Sequence, residues 1–524
     1  MSVLVSTLWT DAPWQVQPLV RWSLTGAYLM VLMLIATYGL HRYWLVYLYY
    51  RTRRHQPRAA HDFDPLPRVT VQLPMFNEGN VAERIIDAAC RLNYPREKLQ
   101  IQVLDDSTDE SARLAARRVA SWAQRGVDIH YLHRAERVGY KAGALADALP
   151  VATGQFIAVF DADFDPPANF LHDTIHHFTD PGVGMVQTRW DHLNRHLSLL
   201  TRSQAIFLDG HFVIEHAARN RAGRWINFNG TAGIWRRQAI LDAGNWQHDT
   251  LTEDVDLSYR AQMAGWRFVF LPQVTCPAEL PPEINAFKAQ QHRWTKGSIQ
   301  TAKKLLPALM RSNAPLPIKV EAFFHLTSPM VYLYVTLMAL LFYPALFVNM
   351  TPFENGTMSA LVLGMSLFTL GTASAAAFYV ASQKAQGRSV WPTVAQIPVL
   401  MSIGIGIALN NARGCVEALI GHDSPFVRTP KYNLTRVDSS GPRRAGSGRI
   451  IATPSIKLWM SLLEVALGLY VLHCAWLSLD VGHTVVSLPF LLLFASGYFY
   501  VGLSSLYSHW SARRPSTQLV AQAM

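Results

Sequence analysis

Hydrophobic residues fall into two patterns along the chain: long unbroken runs towards both ends and short alternating segments between them. Residues 24–49 are nearly all apolar, long enough for one membrane-spanning helix and too short for two. Comparable stretches cover 323–348, 358–382, 455–477 and 484–507, which makes five expected crossings. Between 65 and 290 the pattern changes to β-rich runs at 68–73, 99–104, 127–132, 156–160 and 184–188, with helical stretches such as 111–124 between them. Strands alternating with helices predict an α/β fold, a mostly parallel sheet flanked by helices with its ligand at the carboxyl ends of the strands. The expected division is a membrane helix with a basic flank (1–55), an α/β domain (56–297), and a third region (298–524) of interfacial helices and about four further spans.

Two segments fit neither pattern. The apolar stretch 397–409 would break the parity of the spans if it crossed the membrane. With Pro398 and several glycines it reads as a re-entrant or interfacial helical element buried against protein. Ile299, Ala302, Leu305, Leu306, Leu309 and Met310 recur at helical spacing with Lys303 and Lys304 interleaved. They are expected to form a helix lying at the membrane surface.

Composition sharpens the membrane reading. A 50% hydrophobic and 16% charged chain is more apolar than soluble proteins usually are. The net charge of +11 gathers beside the apolar runs, as at Arg51, Arg53 and Arg54 and at Arg443 and Arg444. That placement points to anionic lipid and away from a nucleic-acid partner. Segments 349–357 and 478–484 carry no Lys or Arg, whereas Lys384, Arg388, 436–449, Arg513 and Arg514 are basic. The alternation predicts a multi-pass protein of a plasma or inner membrane with 51–320 and the C-terminus in the cytoplasm, and no cleavable signal peptide is expected. The four cysteines are far apart and indicate neither a zinc site nor a disulfide framework.

The chemistry sits at the expected strand ends. Asp161 and Asp163 flank Ala162 where a buried strand emerges; positions i and i+2 of an extended segment point the same way, so both carboxylates can approach one hard cation. A solvated turn with capping aspartates has the same sequence. Asp105 and Asp106 end another strand and suit either an N-cap cluster or hydrogen bonds to a base or ribose. Thr252-Glu253-Asp254 suits a helix start or a carboxylate that takes a proton from an acceptor hydroxyl. Gln290-Gln291-His292-Arg293-Trp294 suits a helix meeting lipid, or an arginine neutralising a diphosphate beside a tryptophan face for a sugar ring. Lys141, within Gly139-Tyr140-Lys141-Ala142-Gly143, is a candidate phosphate contact.

Together and in this order, these residues resemble the family 2 glycosyltransferases of the cellulose synthase type, whose D, D, D, QxxRW pattern falls here on Asp106, Asp163, Asp254, Gln290, Arg293 and Trp294. The wording of 139–145, 228–233 and 290–294 is most similar to the branch containing mannan, glucomannan and xyloglucan-backbone glucan synthases. The resemblance implies a GT-A type fold, with Asp106 and Lys141 at the nucleotide and Mg²⁺ or Mn²⁺ on Asp161 and Asp163. It makes Asp254 the general base, puts Gln290 and Arg293 at the donor diphosphate, and puts Trp294 and Glu253 at the acceptor. Residues 426–431 resemble a gating loop that closes over the donor, with Phe426, Thr429 and Lys431 matching and Arg428 in place of the usual valine.

The implied activity is inverting polymerisation of a β-linked, expectedly β-1,4, glucan or mannan-type polysaccharide from UDP-glucose or GDP-mannose, with export through its own channel. The implied partners are the growing β-glycan, the lipid bilayer and accessory export proteins. A non-processive enzyme adding one sugar to a membrane lipid would use the same carboxylates. The chain departs from better-known relatives in having one span before the catalytic domain instead of two. Only about 17 residues follow the last expected span, so regulation through a C-terminal cyclic-di-GMP domain is not expected.

Overall fold

The computed structural model describes residues 18–348, 357–423, 429, 431–433, 458–480 and 487–513. A long helix, α1 (Pro18–Thr52), leads into a seven-stranded sheet: β1 (Val69–Met75), β2 (Leu99–Asp105), β3 (Ile129–His133), β4 (Phe156–Val159), β5 (Val183–His192), β6 (Gly233–Arg236) and β7 (Arg267–Ala278). The spatial order is β3-β2-β1-β4-β6-β5-β7. β1 runs parallel to β2 and β4, β2 to β3, and β5 to β7, whereas β6 is antiparallel to both β4 and β5.

Every position of β1, β2 and β4 is buried, because helices cover both faces of the sheet; such strands read as continuous apolar runs. On one face α2 (Gly79–Cys90) and α3 (Ser111–Ala123) bring Val81, Ile85, Ala115 and Val119 onto Val71, Leu73 and Val103. On the other, α4 (Tyr140–Ala148) packs Leu145 and Ala148 against Ile157 and Val159. The polar residues inside are paired, with Thr70 donating to Gln100 at 2.8 Å and Gln72 to Gln102 at 3.0 Å. The register Met75↔Asp105 ends β1 and β2 at the same level. That alignment places the Asp105-Asp106 pair on the sheet's carboxyl rim.

Strands form at all five expected positions. β6 and β7 were not legible, because the four residues Gly-Ile-Trp-Arg show no alternation and Pro272 and Pro277 interrupt β7. After β5 come α5 (Leu199–Asp209) and a π-helical turn over Gly210–His216. α6 (Glu253–Met263) precedes β7, and α7 (Ile284–Arg311) follows it. α7 runs unbroken through residue 297, so the expected domain boundary falls inside a helix.

Part of the stripe expected at the membrane surface packs on protein, while Met310 is exposed. Ile299 packs on Cys415 and Ala418, while Ala302, Leu305 and Leu309 pack on Val255, Tyr259, Ala322 and Leu326. An apolar helix face has the same sequence whether lipid or protein covers it.

After α7 come α8 (Leu316–Thr327), α9 (Met330–Val348), α10 (Thr357–Ala385), α11 (Val390–Gly406), α12 (Ala408–Ile420), α13 (Leu458–Asp480) and α14 (Leu488–Arg513). Among the described residues, Trp22–Thr52, Leu458–Leu479 and Leu488–Trp510 are long and apolar enough to cross a membrane; counting the bent pairs α8–α9 (55°) and α11–α12 (41°) as one span each gives five. α10 covers the expected stretch 358–382 and crosses α1 closely. A Cβ on Gly39 would lie 2.9 Å from the Cα of Gly371.

Both ends of α11 meet the catalytic domain. Before it, Gln383 and Arg388 donate to Asp209 at 2.9 and 2.7 Å. Near its end, Ile403 packs with Leu200, Ile284 and Phe287. The bend of 41° between α11 and α12 suits either a broken span or the re-entrant element expected at 397–409.

Candidate active site

A single cleft at the carboxyl rim of β1, β2 and β4 is lined by Asp106, Lys141, Asp161, Asp163, Glu253, Asp254, Gln290, Arg293, Trp294, Thr429 and Lys431. Every expected site residue among the described ones therefore lines it. Phe426 lies outside the described residues.

The sheet supplies one wall. Asp105 accepts from the Ser107 amide at 2.9 Å and from the Tyr131 hydroxyl at 2.8 Å, so it closes its own turn. Both oxygens of Asp106 are taken by Arg134, Nε at 2.8 Å and Nη2 at 2.7 Å. Arg134 Nη2 also donates to the Tyr140 carbonyl at 2.8 Å and thereby shapes the loop before α4. A Cβ on Gly143 would sit 2.0 Å from the Val138 carbonyl oxygen, so glycine is needed there. The N-cap of α3 is Glu110, and the capping alternative for Asp106 does not describe this side chain.

Lysines hold the Asp161-Ala162-Asp163 turn. Lys141 Nζ donates to Asp161 Oδ1 at 2.5 Å and to the Gly230 carbonyl at 2.7 Å, and Lys431 Nζ reaches Asp163 Oδ2 at 2.5 Å. Burial works to lower the Lys141 pKa, but Asp161 and Glu253 beside it raise it overall. Lys431 is anchored by the backbone around it: its carbonyl accepts from Asn80 at 3.0 Å, and the Tyr432 amide donates to Glu279 at 2.8 Å.

The other wall is helical. Thr252 precedes α6 without a side-chain cap bond; its hydroxyl lies 3.2 Å from that of Thr301 on α7. Asp254, in the first turn, is pushed up to about 7 by burial and by the Glu253 carboxylate, against the pull of Lys141 and of the Val255 amide. Gly230, at φ +80°, faces it, and a Cβ there would lie 3.0 Å from Asp254 Oδ2. Gly297 lets α7 cross the start of α6 in contact, since its Cβ would be 2.5 Å from Thr252. That crossing brings Gln290, Arg293 and Trp294 over the cleft. Burial lowers the Arg293 pKa, opposed by Glu253, Asp161, Asp254 and Asp163, so four carboxylates surround it. The Trp294 ring lies 6.4 Å from that of Trp190.

The family described as glycosyltransferase like family 2 matches residues 67–297. Over 451 residues the chain is 33% identical to glucomannan 4-beta-mannosyltransferase 1 of Cyamopsis tetragonoloba, covering 83% of this chain and 81% of that protein. The chain belongs to the family 2 glycosyltransferases. The resemblance read from its motifs is borne out. The transferase is also 41% identical over 271 residues to glucomannan 4-beta-mannosyltransferase 2 of Arabidopsis thaliana, covering 50% of this chain and 51% of that protein. Among solved structures it is similar to a mannosyltransferase from Pyrobaculum calidifontis in complex with GDP-Man and Mn²⁺, at 23% identity and a TM-score of 0.48 over 67% of this chain and 98% of that one.

The transferase's residues fit a divalent cation of the kind completed by substrate. Asp161 and Asp163 are the two carboxylates at the strand end, and each already faces a cationic ammonium. Among the described residues no group of three or more His, Cys, Asp or Glu could hold a metal ion. A two-carboxylate site suits an ion whose other ligands are phosphate oxygens and water.

Sequence reasoning missed two supports of the transferase site. Arg134 stands alone in a loop, with no pattern to mark it. The π-helical turn carries His211, whose ring nitrogens lie 3.0 Å from Glu215 Oε2 and 2.9 Å from Asn229 Oδ1, and Asn229 lines the cleft. Burial works against the Glu215 charge, yet Arg219 and His211 hold its pKa down to about 2. A π-turn inside helical sequence often marks a functional site, but it has no local signature.

Proposed function

We propose that this transferase builds a β-1,4-linked mannan-type polymer by inverting transfer from GDP-mannose. One observation carries the chemistry: a carboxylate pushed up to about 7, Asp254, shares a cleft with the paired Asp161 and Asp163 and with Arg293. A general base works best when its pKa lies near the working pH. The two curated mannosyltransferase relatives support the choice of sugar and linkage.

In the proposed reaction Asp254 takes the proton of the acceptor hydroxyl as that oxygen bonds to the anomeric carbon. The bond from that carbon to the diphosphate oxygen breaks on the opposite face, turning an α-linked donor into a β-linkage. Negative charge then grows on the departing nucleoside diphosphate. Lys141 and Arg293 are placed to stabilise it. Asp161 and Asp163 would hold Mg²⁺ or Mn²⁺, which supplies a further positive charge to the diphosphate. Asp106, fixed by Arg134, faces the nucleotide, and Gln290 the diphosphate. Trp294 and Trp190 offer flat faces to the acceptor sugar, with Glu253 beside them. Thr429 and Lys431 close the donor side as part of a gating segment.

We place the catalytic domain in the cytoplasm and the chain in a plasma or inner membrane, with the polymer passing Trp294 towards the membrane helices and accessory export proteins beyond. Supplying the purified enzyme in vesicles with labelled GDP-mannose and UDP-glucose, with Mg²⁺ or Mn²⁺, and then digesting with linkage-specific glycanases tests the reading. A mannanase-sensitive polymer from GDP-mannose is expected. A glycolipid bearing one sugar would overturn polymerisation, and a product made only from UDP-glucose would overturn the mannan assignment.

A further inference from the structure

Helix α7 has two polar faces with different partners. Gln290, Arg293 and Trp294 line the cleft, and Gly297 meets Thr252. Lys288, His292 and Lys296 are spaced four residues apart, so they stack on another face of the same helix. That face is turned to the C-terminal helices. Lys288 Nζ lies 2.7 Å from Glu464 Oε1 and donates to Oε2 at 2.8 Å and to the Ser505 hydroxyl at 3.2 Å. Both side chains of the Lys288–Glu464 pair are 0% exposed, in a pairing between α7 and α13. Lys296 and His292 each lie 3.2 Å from Glu417 Oε2 on α12, and Arg413 Nε donates to Oε1 of the same carboxylate at 2.6 Å. The backbones also meet: Asn410 donates to the Lys288 carbonyl at 3.0 Å, and a Cβ on Gly414 would lie 3.2 Å from the His292 carbonyl oxygen.

Buried ion pairs are poor sources of stability, since an apolar pair of the same volume commonly does as well or better, and an ionisable residue on an apolar helix such as α13 carries a cost of its own. They are better at fixing geometry. The stripe Ile299, Ala302, Leu305 and Leu309 can slide or roll against its neighbours with little change in area, whereas an ammonium between two carboxylate oxygens and a hydroxyl has one satisfactory position. A one-residue change of register turns a helix by about 100°, which would take Arg293 and Trp294 out of the cleft. We propose that Lys288–Glu464 and Lys296–Glu417 are positioning pairs through which α12 and α13 set the rotation of α7, and with it the placement of Arg293 and Trp294. This rests on reading those two residues as the leaving-group and acceptor contacts, but not on which sugar is transferred.

The full-length enzyme is tested on whichever nucleotide sugar it turns over, so failure of the mannan reading leaves the outcome readable. Glu464→Gln and Lys288→Met are expected to lower kcat by about tenfold or more while the donor KM stays within about twofold, because Lys141 on α4 and Asp161 and Asp163 after β4 lie outside α7. The double variant Lys288→Met/Glu464→Met removes both charges and is expected to regain the wild-type unfolding temperature without regaining kcat. Glu417→Asp and Glu464→Asp, which keep the charge and withdraw it by one methylene, cover the case in which the single variants fail to fold; each is expected to lower kcat by about threefold. Wild-type kcat in the double variant, unchanged kcat in both aspartate variants, or a donor KM that rises in step with the loss of kcat would each overturn the proposal.

Discussion

The two walls of the cleft are held in place in different ways. On the sheet side most of the contacts lie close in sequence: Asp106 is fixed by Arg134, Asp161 by Lys141, and the loop between them by glycines at 139 and 143, with Lys431 at Asp163 the distant exception. On the helical side Arg293 and Trp294 depend on Gly297 crossing Thr252 and on charge pairs to α12 and α13, with Lys288 and Glu464 separated by 176 residues. The donor half is a local construction on a rigid sheet. The helical wall, which carries the leaving-group contact Arg293 and the acceptor contact Trp294, is assembled by the whole chain, so its faults should appear in turnover more than in ground-state donor affinity.

The largest effect tests the group between the two walls. Asp254→Asn should lower kcat by about a thousandfold with the unfolding temperature retained, as measured by labelled sugar transfer, because the amide cannot accept the proton. Gly297→Val should come next: its side chain collides with Thr252 and displaces α7, lowering kcat by about a hundredfold while donor KM changes by less than about twofold. A proportional rise in donor KM would erase the distinction between the walls.

The pH dependence is smaller and has a definite sign. Asp254 must be deprotonated to act, and burial with Glu253 pushes it up to about 7, so kcat/KM should fall about tenfold for each unit of pH below that value. Glu253→Gln removes a carboxylate that raises the Asp254 pKa and should move this acid limb to lower pH in a pH-rate profile. The smallest expected effect is on the sheet side. Arg134→Lys keeps the charge but loses the bidentate grip on Asp106, and should raise donor KM by about fivefold with kcat nearly unchanged.

The same contrast explains what the sequence disclosed. Asp106, Asp161 and Asp163 follow buried apolar strands, so a run of letters shows both the strand and the carboxylate at its end. QQHRW is equally compact, and the Arg293 and Trp294 it singles out both line the cleft. Nothing local announces that Lys431 will meet Asp163, that His292 faces Glu417 while Arg293 faces the cleft, or that β6 reverses the direction of the sheet. Those depend on long-range packing. The stripe at 299–310 left its partner unread for a related reason, because hydrophobicity records that water is excluded and not what excludes it.

The glycine crossing of α1 and α10 gives the catalytic domain a mechanical connection. Gly39 and Gly371 let the two helix backbones touch, and twelve residues further along α10, about 18 Å of helix, Gln383 holds Asp209. Asp209 immediately precedes the π-helical turn that carries His211 to Asn229 at the cleft. The crossing acts as a fulcrum and the end of α10 as a lever arm. A tilt of about five degrees at the glycines would move the far end by about 1.5 Å over that length, a displacement on the scale of a catalytic contact.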